Sequence, residues 1–441
     1  MPAAYETDLY RRLRTHLDTI RIVDCHEHMT RDRQLPDEHG TTIGRLFCHY
    51  TPSDLASAGM PPADQARVLD SKNGLSPRER WKLLEPWYRK AWNTGYCECV
   101  RIALQDLFGV EDFSDATVGP ITEALEARVK PGYTRQVFDR AGIDFAMNNI
   151  WAPRQVCNLD QEPDLFQPDM LDNFTDLDVG ALQRDSGLDI LCLDDFLRVI
   201  DWYFETYARV AGAFKVGLAY NRTLTFEDVP RDAVEKTFLR LLAFADRPDR
   251  RDLQALQDFL IHTLCRQCGE YGLRMKFHTG LQSGSGNIIM NSRAAKLANL
   301  FMKYPKTNFD IYHISYPYQD EVVTLAKNFP NVTADFCWMW VINPAAGRRA
   351  LSEMLDAVPA NKIHGFGGDY RIVEAAYGHA MIAKREIARV LAEKVEEGRF
   401  TEDYAAEVGR RLLRDNAMEN FGLKARRAAF KKAAKGAKAS R

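Results

Sequence analysis

A parallel (β/α)8 barrel is the fold this sequence predicts, and three observations predict it. The chain has 441 residues, a comfortable length for one large barrel with insertions. Short β-rich segments alternate with helical stretches along most of it, the pattern of parallel βα units. Several later strand segments end in polar side chains of metal-binding type, and the C-terminal strand ends are where such a barrel builds its site.

At the N-terminus, Met1 to Glu6 leads into a charged, helix-like run with Arg11, Arg12 and Arg14, without the apolar core of a signal peptide. The first strand segment is Ile20 to His26, and the next, Ile143 to Met147, comes more than a hundred residues later. That interval is too long for a βα connection and reads as a helical insertion over about 35–135. Within it, Ser76 and Glu79 form a capping box with Pro77 in the first turn. The helix they open carries Trp81, Leu84, Trp87, Tyr88 and then Trp92. An insertion after strand one stands beside the mouth of a barrel, so a lid or pocket wall is its expected role. The third strand cannot be placed within the Asp-rich stretch from Asp164 to Leu193. Later segments are clearer: Ala213 to Tyr220, Leu273 to His278, Phe309 to His313, Val332 to Cys337 and Ile363 to Phe366. Leu253, Leu256, Leu260 and Leu264 line one face of an intervening helix.

Composition bounds the function. Apolar residues make up 46% of the chain and the formal net charge is −2, an ordinary globular balance. It hides an asymmetry, because the last 18 residues carry eight Lys or Arg and no acid, leaving 51 basic against 61 acidic side chains elsewhere. Residues 1–423 therefore read as one barrel unit with no nucleic-acid surface, and 424–441 as a basic tail, disordered or fraying as a helix. No apolar run approaches the roughly 20 residues of a membrane span. Nine cysteines without a secretion signal point to reduced thiols and a cytoplasmic protein. The expected partners are a small-molecule substrate and other copies of the chain.

The chemistry starts at Asp24-Cys25-His26-Glu27-His28. Residues two apart in a strand share a side, so His26 and His28 can reach one ion. A lone His-x-His is weak evidence, and three later strand ends give it weight. Lys276-Phe277-His278-Thr279-Gly280 ends another strand in His, Ile311-Tyr312-His313 another, and Gly365-Phe366-Gly367-Gly368-Asp369 brings a carboxylate to the last strand's end. Imidazole and carboxylate suit zinc, and also manganese or iron. Blander readings stand beside these: Asp369 as a helix cap, His313 as a packed histidine, and His262, His364 and His379 as structural. The Cys265/Cys268 and Cys97/Cys99 pairs read as core packing.

On these residues the chain resembles the amidohydrolase superfamily, in its amidohydrolase-2 and uronate isomerase-like branch, from about His26 to about His379. The resemblance implies a metal-dependent hydrolase barrel in which His26, His28, His278 and Asp369 hold one divalent ion, most simply zinc. Asp369 would accept the proton of an activated water, and His313 would act as acid/base or polarising group. Many two-metal relatives carry a carboxylated Lys on strand four, which makes Lys215 a candidate ligand for a second metal. One metal is the favoured reading, with structural pairing or substrate contact as the fate of Lys215. Arg222, just past strand four, is a candidate carboxylate clamp, while Trp338, Tyr370 and Asn287 are candidate substrate contacts. The reaction expected is hydrolysis of an amide or lactone of a small polar, carboxylated molecule. The alternatives are aldose/ketose isomerisation of a uronate, to which the long insertion and Trp338-Met339-Trp340 are similar, and non-oxidative decarboxylation. Asp369-Tyr370-Arg371-Ile372-Val373-Glu374 departs from the serine- and arginine-rich run of typical uronate isomerases. A barrel reduced to a binding subunit is the non-enzymatic alternative, and the complete ligand set argues against it.

Overall fold

The computed structural model describes residues 6–150, 155–244 and 249–439. Eight strand positions are occupied: β1 (Ile22–Glu27), β2 (Ile143–Asn148), β3 in two pieces (Phe166–Pro168 and Met170–Leu171), β4 (Phe214–Val216), β5 (Met275–His278), β6 (Phe309–Tyr312), β7 (Val332–Asp335) and β8 (Ile363–His364). Each pairs in parallel with its neighbours in this order. The segment after β8 closes the ring on β1, with Cys25 N donating to Phe366 O at 3.1 Å and Asp369 N to His26 O at 2.7 Å. This is the barrel the alternation predicts.

The strand that resisted placement runs through the Asp-rich stretch. Phe166, Gln167, Asp169 and Met170 are all buried, so no in/out alternation marks it. Asp169, at the break in β3, pairs with Lys276 of β5 at 2.9 Å, both fully buried. A second buried ionic group joins His364 to Asp310 at 3.0 Å. The centre of this barrel is thus partly built from paired charges, which a hydrophobic pattern does not reveal. Strand four is shorter than Ala213 to Tyr220: it stops at Val216, and Leu218–Tyr220 is a 3-10 turn.

The segment between β1 and β2 is largely helical. Ser76 caps the helix Pro77–Ala91 through the reciprocal bonds with Glu79, and Trp81, Leu84 and Tyr88 bury completely while Trp92 stays exposed. The next helix, Gly95–Ala103, docks against the segment after β7 at a point where a Cβ on Gly95 would lie 2.2 Å from the Val341 carbonyl oxygen. That contact brings Tyr96 and the rest of the insertion over the C-terminal mouth. In the helix Arg250–Glu270, Leu256, Leu260, Leu264, Cys265 and Cys268 are buried, so the Cys265/Cys268 pair is core. All nine cysteines are free thiols.

The tail is a correction. Leu423–Ala439 is one helix, and Ser440 and Arg441 lie outside the described residues. Leu423 and Phe430 are fully buried, and Arg426 donates to the carbonyls of Ala208, Ala211 and Gly272. The Arg427 guanidinium sits 3.5 Å from the centre of the Phe145 ring. Basic residues that looked solvated therefore satisfy carbonyls near the N-terminal ends of β4 and β5. Among the described residues no helix is long and apolar enough to cross a membrane.

Candidate metal centre

Four strand ends converge at the C-terminal mouth. His26 is the last residue but one of β1, its side chain buried, and His28 lies just past the strand. Asp369 Oδ1 lies 3.5 Å from His26 Nε2 and 3.2 Å from His28 Nε2. Ligands about 2.1 Å from a tetrahedral ion stand roughly 3.4 Å apart, so these separations suit three corners around one ion. The outer nitrogen of His28 is held as such a site requires, Nδ1 lying 3.0 Å from the Asn149 carbonyl oxygen, and the Asn149 side-chain amide nitrogen stands 3.4 Å from His26 Nδ1.

His278 enters through His313. His313 Nε2 is 3.1 Å from His278 Nδ1 and 3.7 Å from Asp369 Oδ2. Their other nitrogens meet carbonyl oxygens, of Cys337 at 2.9 Å and of Leu281 at 3.0 Å. The structure therefore gathers His26, His28 and Asp369 into one ligand group, with His313, Cys337 and Asp369 in an overlapping one. His278 stands next to His313.

The backbone is bent to achieve this. His313, Ser315, Trp338 and Asp369 adopt φ of 63°, 54°, 64° and 59°, left-handed conformations that non-glycine residues enter at a cost and that cluster at functional sites. Gly368 permits the last of them. A Cβ there would lie 1.9 Å from Glu27 Oε1 and 3.2 Å from Asp24 Oδ2. Those two buried acids tie β1 to the β8 end, Asp24 Oδ1 accepting from His26 N and Gly368 N at 3.0 Å each, and Glu27 Oε2 from Tyr370 N at 2.6 Å.

Burial governs the charges. It holds the His26 and His278 imidazoles well below their ordinary pKa, with Lys215 adding to it at His26 and His313 at His278. His313 is pulled down to about 4, again by burial, against the opposing pull of Asp369. These rings are neutral at pH 7, with lone pairs available to an ion. Burial pushes the Asp369 carboxyl up, but attraction to His26, the hydrogen bond with His28 and attraction to His313 outweigh it and hold it well below the usual carboxylate range, so a proton in this cluster sits on an imidazole rather than on Asp369. Imidazoles around one ionised carboxylate are the donor set of a divalent cation, and the residues fit one.

The insertion supplies wall residues that the sequence did not single out. His49, at φ 72°, and Tyr50 come from it. Tyr50 stacks on Trp338 with ring centres 4.0 Å apart, and Tyr96 lies nearly parallel to both, 5.6 Å from Tyr50 and 6.3 Å from Trp338. Burial lifts the Tyr50 phenol well above its ordinary pKa, and the Asp369 carboxylate adds to the rise. Tyr370 meets Tyr50 edge-on at 5.2 Å. The signal available was the Cys48-His49-Tyr50 run, a histidine and a phenol inside an insertion expected at the mouth. Tyr220 lies over His278, its ring 4.6 Å away.

Two expected substrate contacts are corrected. Arg222 is no clamp: its guanidinium donates to Asp258 at 2.6 Å, to Gln257, and to the carbonyls of Thr223, Thr225 and Gln254. All five N–H donors are consumed. Asn287 spends its amide on the carbonyls of Gln282 and Ser283 within its own loop. His262, His364 and His379 are structural, bonded to Tyr304, Asp310 and the Gly368 carbonyl respectively. Lys215 has no structural ion pair or hydrogen bond among the described residues.

The family model described as Amidohydrolase matches residues 181–423, more than half of the chain. The chain belongs to this family. The match takes in β4 to β8, and so His278, His313 and Asp369 of the centre. Over the rest of the chain the likeness is to solved structures and is one of fold. A uronate isomerase from Thermotoga maritima superposes with a TM-score of 0.77 at 15% identity, covering 94% of this chain and 97% of that one. A structure from Lactobacillus casei, described as a metal-dependent hydrolase, gives 0.65 at 14% identity, covering 93% and 98%. These likenesses are of fold. Protein fluG of Emericella nidulans is 27% identical over 156 residues, 34% of this chain, and the chain spans only 17% of that curated relative's length.

Proposed function

We propose that the protein is a metal-dependent hydrolase acting on an amide or lactone of a small polar molecule. The observation that carries this reading is Asp369 Oδ1 lying 3.5 Å from His26 Nε2 and 3.2 Å from His28 Nε2, separations that suit ligands of one ion. His26, His28 and Asp369 would hold the ion, with His278 beside them. When bound, zinc or a similar ion lowers the pKa of a coordinated water from about 16 towards about 7. Asp369, ionised and with its second oxygen turned to His313, is placed to accept a proton and return it to the leaving group. His313, neutral and with its Nδ1–H on the Cys337 carbonyl, turns an Nε2 lone pair towards His278 and Asp369, where it would accept a proton during the reaction. Tyr50, Tyr96 and Trp338 close over the site and exclude bulk water.

A second reading is isomerisation of a uronate. It is favoured by Tyr50, whose phenol faces Asp369 and gives that side of the site a second proton-handling group, and by the full-length likeness to a uronate isomerase fold. The test is elemental analysis of purified wild type, His26→Ala and Asp369→Asn, and then assays on lactones, amides and uronates. About one equivalent of metal in the wild type, lost in both variants, with turnover of a lactone or amide, is the expected result. Turnover of uronates alone replaces hydrolysis with isomerisation. Metal-free wild type after supplementation refutes both.

A further inference from the structure

Lys215 and Lys276 face each other in register across β4 and β5, yet they are treated differently. Lys276 has the usual solution for a buried ammonium, donating to Asp169 at 2.9 Å and to the Cys25 carbonyl at 2.8 Å. Lys215 is less than a tenth exposed, and its Nζ has no hydrogen-bond partner among the described residues. Leaving a charge buried and unpaired costs several kcal/mol, and buried lysines are rare unless paired. What steadies Lys215 is a surface: Nζ lies 4.0 Å above the centre of the Tyr312 ring, whose hydroxyl is fixed to the Cys25 carbonyl at 2.9 Å. The Tyr312 ring is in turn 5.0 Å from that of His26. Through that one ring Nζ is set beside His26, at the floor of the metal centre. Arg222, the cation expected to meet an anionic substrate, has no donor left. Nearby, His49 Nδ1 is also buried without a partner among the described residues, on a ring 6.0 Å from that of His28.

We propose that Lys215 Nζ anchors a carboxylate oxygen of the substrate at the floor of the site, so that the enzyme takes small carboxylate-bearing molecules. This role rests on the metal-centre reading for its location, but its donor is needed in hydrolysis and isomerisation alike. An amine donates a hydrogen bond whether charged or neutral, and a carboxylate entering the site supplies the partner that the protein withholds. The missing protein partner becomes a specificity device, since a neutral ligand would leave the ammonium unpaired and desolvated.

The test is calorimetric titration of glycolate into wild type, Lys215→Met and Lys215→Gln, each with and without zinc, with metal content measured on the same samples. Wild type should bind glycolate. Both variants should bind it at least about tenfold more weakly, the loss of one charge-assisted hydrogen bond, while their metal content matches wild type. Lys215→Met should also melt no lower than wild type, because it removes an unpaired charge; a structural lysine would give the opposite. Unchanged glycolate affinity in both variants overturns the assignment, as does a folded wild type that fails to bind glycolate. Two metal equivalents falling to one in both variants overturns it too, making Lys215 a ligand instead. Glycolate binding that needs Lys215 in a protein that holds no metal keeps this role and refutes the metal reading, so the two failures are separable.

Discussion

Gly368→Ala should damage the centre from behind. The new Cβ would lie 1.9 Å from Glu27 Oε1 and 2.7 Å from Glu27 Cδ, so the Glu27 carboxyl must move by more than an ångström. That carboxyl is fully buried and accepts the Tyr370 amide at 2.6 Å. Overpacking a filled interior costs about 1–3 kcal/mol, and losing a hydrogen bond to an acid about 1.5–3 kcal/mol more. The sum is about 2.5–6 kcal/mol. At roughly 2 cal/mol/K of unfolding entropy per residue, a chain of 441 residues loses about 1 °C of Tm per kcal/mol, hence about 2.5–6 °C. Because Gly368 adjoins Asp369, the variant should also retain less metal. The assay is calorimetric melting with metal analysis, using Gly119→Ala as control. Gly119 lies in the helix Val118–Arg128 with nothing within 4 Å of its Cβ position, so that change should leave Tm level or raise it slightly. A Gly368→Ala protein that melts within about 1 °C of wild type and keeps its full metal complement would show that the packing behind Asp369 is not what positions it.

Arg222→Ala breaks a buried ion pair with Asp258 and should destabilise by about 3–5 kcal/mol, measured by urea unfolding, while the folded protein keeps its affinity for carboxylate ligands; a selective loss of that affinity would restore Arg222 as a clamp. His364 is raised to about 8, since Asp310 and Asp335 outweigh its burial. Its folded pKa lies above the ordinary value of 6.5, so its stabilisation is complete below about pH 6.5 and fades as pH rises through about 8. Melting should accordingly drop between about pH 6.5 and 8 by the equivalent of about 2 kcal/mol, and Asp310→Asn should flatten that slope; an identical slope in the variant would assign it elsewhere. Truncation after Gly422 removes the buried Leu423 and Phe430 and should cost about 3–6 kcal/mol, read as a lowered Tm, whereas an unchanged Tm would return the segment to the status of a passive tail.

The sequence by itself determined the barrel class, the strand ends that carry His26, His28, His278, His313 and Asp369, and the capped helix that begins the insertion. Each depends on local rules: period-two geometry in a strand, reciprocal capping, and the alternation of short apolar segments with amphipathic ones. β3 escaped because its residues are buried on both faces and Asp169 belongs to an interior ion pair. The tail was misread because the rule that clustered basic residues stay solvated takes no account of carbonyls left open at the ends of β4 and β5. Only the tertiary structure decided that Arg222 is spent on Asp258, that Tyr50 from the insertion reaches Asp369, and that Lys215 has no partner among the described residues while Lys276 has two. A side chain's composition and position along the chain state what it can bond to. Which of those bonds it makes depends on groups far away in sequence, brought within hydrogen-bonding distance only when the barrel closes.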